Sequence, residues 1–303
     1  MKILSRTAKS VLFSAAGLSL LLCPNLSAQA QGPAEKLISG EWLAANLAND
    51  NIRIIDTRMD IRDYWQAHLP GALYLDTDLL RWPDQGVPGK LMNLEALALL
   101  LGQMGVGEKT QVIAYYDKNG YPPFFLLWAL EYIGHEEFAL LEDGIERWRT
   151  DGRALTQDYP KIRPVSFRLP GKRKAAIRAT IDEVVREMKA GAVILDVRPE
   201  DLYKGDKGAW KRKGHIKGAI SHPWALDLGS DGAWKSKEEL TAIYAKQGVT
   251  PEKNIIVYCG QGQMAAFTYF SLKHRLGFPN VKVYDGGFSE WSVREDLPVE
   301  SAK

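Results

Sequence analysis

This chain carries one pattern twice, at an offset of about 140 residues, and that repeat limits its fold more than any other feature. Ile54-Ile55-Asp56-Thr57-Arg58 returns as Ile194-Leu195-Asp196-Val197-Arg198, and His68-Leu69-Pro70-Gly71-Ala72 returns as His215-Ile216-Lys217-Gly218-Ala219. Ala114-Tyr115-Tyr116-Asp117 matches Ile256-Val257-Tyr258-Cys259. Asp143-Gly144 with Trp148 matches Asp285-Gly286 with Trp291. Landmarks repeated in the same order mean a duplicated structural unit, and a chain of this length is too long for one ordinary core.

Each unit alternates short apolar runs with helical patterns. Strands are expected near 52–56, 73–75, 111–116 and 138–141, then near 193–196, 219–221, 254–258 and 281–284. Helices are expected near 40–48, 94–103, 122–133 and 144–150, then near 237–247, 263–275 and 287–294. Thr180 and Glu183 read as a capping box for a further helix ending near Lys189. Alternating β and α elements predict an α/β fold, with a parallel sheet covered by helices on both faces of each unit. Ligands bind such sheets beyond the carboxyl ends of the strands. The boundaries follow as 36–150, a Pro- and Gly-containing linker over 151–174 that is expected to lie across both domains, and 175–300.

Residues 1–30 read as a cleaved export signal. Lys2, Arg6 and Lys9 precede a short apolar run from Val11 to Leu22, and Ala28-Gln29-Ala30 is a small-x-small cleavage site. The run is too short for a permanent span. Cys23 raises the alternative of a lipid anchor, but Leu22 before it is not the small residue that such signals need. The expected location is therefore periplasmic or secreted. The formal charge of +2 comes largely from this leader, so nothing in the composition points to nucleic acid. No other apolar run is long enough to span a membrane.

Without the leader, Cys259 is the one cysteine left. A single thiol makes no internal disulfide, and in an oxidising compartment it is a liability unless it is used. It ends the strand-like run Ile255-Ile256-Val257-Tyr258 and opens Gly260-Gln261-Gly262-Gln263-Met264, ahead of a helical segment. Unpaired N–H groups and the helix dipole at such a turn favour an anion. The thiolate form is the nucleophile, so Cys259 is the catalytic candidate and the loop backbone is its activator. The alternative is a small buried apolar thiol.

The motifs then identify a relationship. Tyr64-x-x-x-His68-Leu69-Pro70-Gly71-Ala72-x-x-Leu75 and Val281-x-x-Tyr284-Asp285-Gly286-Gly287-Phe288-x-Glu290-Trp291 resemble the two signatures of the tandem-domain rhodanese sulfurtransferases. That resemblance implies two rhodanese-like domains, the second one catalytic, with its cysteine at the head of a six-residue loop, here Cys259 to Met264. It implies a first domain without a nucleophile, often with aspartate at the matching position, for which Asp117 is the candidate. It also implies that Arg198 faces the substrate; the alternative is that Arg198 merely pairs with Asp196 or Glu200. No cofactor or metal is implied. The expected reaction moves a sulfane sulfur from a small donor, thiosulfate first and 3-mercaptopyruvate next, through a Cys259 persulfide to cyanide, a thiol or a protein acceptor.

Four further expectations concern single features. Gln261, Gln263 and Met264 stand where mercaptopyruvate-using relatives have serine, valine and threonine, and Leu202 replaces a second arginine. His68 and His215 are expected to serve the fold, and Trp148 and Trp291 to anchor cores. The basic segment Lys207, Lys211, Arg212, Lys213 and Lys217 is either a solvated insertion or an attractor of anionic donors. Two other classes compete: a phosphatase or arsenate reductase, which would need a longer loop with a closing arginine, and a non-turnover persulfide carrier for a specific acceptor protein.

Overall fold

The computed structural model describes residues 36–117 and 120–301, so the expected export signal lies outside the described residues. Five parallel strands form the first sheet, in the order Leu37–Ile38, Phe138–Leu141, Gln111–Tyr115, Ile52–Asp56, Leu73–Tyr74. Four parallel strands form the second, in the order Ile220–Ser221, Val193–Asp196, Ile255–Tyr258, Val281–Tyr284. An isolated parallel bridge from Arg178 to Val283 occupies the edge that Leu37–Ile38 takes in the first half.

Side chains alternate across these strands with period two. Ile54 and Ile113 face a cluster built around Leu43, Tyr64 and Trp148, while Ile55, Val112 and Ala114 face the other way. In the second half Ile194 and Ile256 join Val184, Phe288 and Trp291, while Leu195 and Val257 face the other way. The inward faces of both sheets meet in one continuous apolar core. Helices Pro122–Ile133 and Gln263–Phe270 pack against each other within it. Pro122–Ile133 is buried on nearly every side, as its PPFFLLWALEYI sequence demands. Prolines open it and Gly134, in the left-handed region, closes it. Its one charged residue, Glu131, is buried and takes hydrogen bonds from Tyr269 and His274 of the second half. Each Phe or Leu fully buried here contributes about 1.5–3 kcal/mol, so the two halves share one stabilising interior.

Four details differ from expectation. The helix predicted over 263–275 changes register, becoming π-helical over Ser271–Arg275. The helix predicted over 287–294 ends at Trp291. The segment 151–174 hydrogen-bonds mainly to the first half, Thr156 to His68, Val165 to Gly102 and Lys174 to Tyr132, and only its end, Arg173 and Lys174, shares a pocket with Glu187 and Lys273 of the second. A hairpin, Arg81–Asp84 with Val87–Leu91, was not foreseen. It docks on the second half, where Leu91 N donates to Asp285 and Lys90 pairs with Glu290 at 3.0 Å.

Candidate active site

Cys259 follows the end of strand Ile255–Tyr258 and is buried to 3 % exposure. The chain then turns through Gly260, Gln261 and Gly262 into helix Gln263–Phe270. Gly262 has φ +92°, and a Cβ there would come within 2.9 Å of Phe125 and 3.2 Å of Asp285. Its N–H donates to Cys259 Sγ at 3.1 Å. Behind the loop, Phe288 N donates to Cys259 O at 2.8 Å and Ser289 N to Gly260 O at 3.2 Å. Gly287 (φ +55°) permits this approach, because a Cβ there would lie 2.5 Å from Cys259 O. The sulfur thus sits at a helix N-terminus with one backbone N–H on it, and the loop carbonyls behind it are tied down by the Phe288 and Ser289 N–H groups.

Cys259, Gly260, Gln261, Gln263 and Met264 line one cavity of about 480 Å³ with Arg198, Leu202, Trp210 and Ser289. Arg198 is almost fully buried. Its Nε and Nη2 grip Asp196, Nη2 also donates to Gly214 O at 2.7 Å, and its guanidinium lies 4.1 Å from the Phe288 ring centre. Burial disfavours its charge, but the hydrogen bond and charge of Asp196 outweigh that and hold it firmly cationic. Nη1 is buried and has no hydrogen-bond partner. Arg198 thus pairs with Asp196 while lining the cavity, and Glu200 accepts instead from Ser221. Trp210 covers the loop: a Cβ on Gly260 would sit 3.0 Å from its ring, and its Nε1 donates to Ser289.

The first half closes the remaining side with Met59, Asp78, Arg81 and Tyr121. Arg81 Nη1 donates to Gln261 Oε1 at 2.7 Å, and Gln263 Nε2 donates to Asp78 Oδ1 at 2.7 Å. Gln261 lies over Gly89 of the hairpin, where a Cβ would come within 3.0 Å of it. No group of three or more His, Cys, Asp or Glu among the described residues is disposed to hold a metal.

The rhodanese-like domain matches this chain at residues 39–151 and again at 180–294. The chain belongs to the rhodanese family and carries the domain twice. It is 34 % identical over 278 residues to the sulfur carrier protein TtuD of Thermus thermophilus, covering 88 % of this chain and 96 % of that one. Identity is 32 % to a 3-mercaptopyruvate sulfurtransferase of Escherichia coli, over 88 % of this chain and 98 % of that one. Among solved structures, an anaerobic ergothioneine biosynthesis enzyme from Chlorobium limicola, in complex with trimethyl histidine, superimposes with a TM-score of 0.80 at 24 % identity, over 89 % of this chain and 71 % of that one. This rhodanese is accordingly a sulfurtransferase.

Superposing the two rhodanese domains by register corrects two sequence matches, that of Asp117 with Cys259 and that of Gly144 with Gly286. Tyr115 pairs with Asp56 across the sheet as Tyr258 pairs with Asp196. Both phenols donate to those carboxylates, and each accepts a backbone N–H, from Leu69 and Ile216. Burial, followed by the neighbouring aspartate, drives both phenol pKa values far up, which keeps them neutral donors. Cys259 therefore corresponds to Tyr116, not to Asp117, and Gly144 touches Tyr116 O as Gly287 touches Cys259 O. Asp117 lines a separate pocket with Asp143, Glu146 and Trp234. Burial, then Glu146, raises its carboxyl pKa.

His68 stacks on Tyr64 and bonds its carbonyl, and His215 does the same with Tyr203; neither lines the Cys259 cavity. Trp148 and Trp291 are core anchors whose Nε1 atoms donate to Ala154 O and Pro298 O. In the basic segment Lys207, Lys211 and Lys217 pair with Asp201, Glu295 and Glu300, and Arg212 binds four carbonyls. These partners favour the structural reading over donor attraction. Sequence reasoning missed Trp210, Tyr121 and Arg81, because none of them stands next to a motif.

Proposed function

We propose that Cys259 is the nucleophile of an exported sulfurtransferase, with thiosulfate as the first donor to test and 3-mercaptopyruvate the second. One observation carries this: a lone thiol at a helix N-terminus accepts the Gly262 N–H inside a cavity that also holds the Arg198 guanidinium. The thiolate attacks the outer sulfur of thiosulfate, the donor S–S bond breaks, and its electron pair leaves with sulfite. A Cys259 persulfide remains. Cyanide or a thiolate then takes the outer sulfur and the Cys259 thiolate returns, so the cycle needs no external oxidant or reductant. Backbone dipoles at the loop stabilise the charge that spreads over the two sulfurs. Arg198 offers a fork suited to a carboxylate or thiosulfonate. Leu202 stands at the cavity wall where a second cation would suit 3-mercaptopyruvate, which ranks thiosulfate ahead.

Export rests on the leader-like residues 1–30 alone. A second reading, a persulfide carrier serving a protein acceptor, is favoured by exposed Met59, Leu79 and Trp82 on or near the residues of the cavity mouth, and by similarity to a protein named as a sulfur carrier. Steady-state thiocyanate production separates the two. An enzyme cycles many times per cysteine, whereas a carrier releases one sulfur and stops. Cys259→Ser is expected to fold normally and lose transfer by about a thousandfold or more. Retained turnover in that variant removes Cys259 from the mechanism.

A further inference from the structure

Two buried guanidinium nitrogens without partners belong to residues that line the Cys259 cavity: Arg198 Nη1 from the second domain and Arg81 Nε from the first. Buried polar hydrogens are normally satisfied, and an orphaned one is costly. Arg81 is held rigidly. Its Nη2 grips Asp78 and its Nη1 donates to Gln261 Oε1, while Asp78 also accepts from Gln263. The two glutamines of the catalytic loop thus point toward the first domain and fasten a cation there. Asp78, Arg81 and Arg198 are the charged residues of the cavity wall, so cations outnumber anions.

We propose that Arg81 is a donor-binding residue supplied by the domain without the nucleophile. It works with Arg198 as a two-sided clamp for a small dianionic sulfane donor such as thiosulfate. Gln261 and Asp78 are positioning residues for Arg81. In this arrangement the loop needs no cation of its own, because its Gln261 recruits one from 180 positions away. Fixing a preorganised guanidinium costs little side-chain entropy per bond formed, which suits recognition of an oxyanion. The inference rests on Cys259 being the sulfur acceptor.

The test is the second-order rate of Cys259 sulfur loading, measured with two donors. Thiosulfate leaves a persulfide and releases sulfite. A neutral dialkyl trisulfide is attacked at its central sulfur, so that one S–S bond breaks, an alkanethiolate leaves and a Cys259 alkyl-trisulfide adduct remains. Arg81→Met is expected to slow loading from thiosulfate by about tenfold or more, while loading from the trisulfide stays within about twofold. Arg81→Lys should recover part of the loss. Gln261→Glu, which keeps the acceptor oxygen but neutralises Arg81, should reproduce the same donor selectivity without opening the domain contact. Equal slowing with both donors, or unchanged thiosulfate loading in both variants, overturns the clamp. If the wild-type protein loads sulfur from neither donor, the reading of Cys259 fails instead, so the two failures are distinct.

Discussion

The two rhodanese domains share an aspartate–arginine pair at the end of one strand, a tyrosine donating to that aspartate from the next strand, and a glycine pressed against the following carbonyl. They differ in the residue that carries this carbonyl. In the second domain it is Cys259, followed by a turn that sends an N–H back to the sulfur. In the first it is Tyr116, whose ring packs edge-on against Phe124 inside the shared core. One framework therefore presents a thiol in one copy and a buried tyrosine ring in the other. The copy without the thiol still serves the site, because its hairpin and the short helix Thr77–Leu80 hold the far wall of the cavity.

The matched arginines test this contrast hardest. Arg58→Lys and Arg198→Lys each break a buried bidentate pair, and losses of about 3–5 kcal/mol are expected from both on chemical denaturation. Only Arg198→Lys should also slow sulfur transfer, by about tenfold or more, since only Arg198 shares a cavity with the thiol. Equal kinetic effects from both would erase the distinction between the domains. The matched glycines come next. Gly144→Ala and Gly287→Ala place a Cβ 2.2 Å from Tyr116 O and 2.5 Å from Cys259 O, and each should lower stability by about 1–3 kcal/mol. Transfer rate should fall in Gly287→Ala and hold in Gly144→Ala, read by single-turnover kinetics at a temperature where both are folded. The smallest effect is expected from Asp117→Ala. That carboxyl lies in a different pocket, so activity should stay within about twofold of wild type. A large loss there would give the first domain a chemical role.

Much of this was legible in the sequence, because short apolar runs, helical patterns and the Thr180–Glu183 capping box are local signals. The hairpin was not. Its turn places Gln85 and Gly86 at positive φ, a demand usually announced by Asn-Gly, and Pro83 and Pro88 obscure the strand alternation. The one-residue slip that matched Asp117 to Cys259 arose from aligning polar residues. The tyrosine–aspartate pairs set the true register, and the spacing of Gly144 to Trp148 and of Gly287 to Trp291 already carried that signal. The Arg81–Gln261 contact lay beyond reach because it exists only once two distant segments dock.

The central claim is that the Cys259 sulfur accepts and releases another sulfur atom. Peptide mapping by mass spectrometry after incubation with thiosulfate labelled at its outer sulfur tests it directly. The account predicts about one labelled sulfur per chain on the Cys259 peptide, discharged as thiocyanate when cyanide is added. An unmodified Cys259 peptide, or label residing elsewhere in the chain, contradicts it.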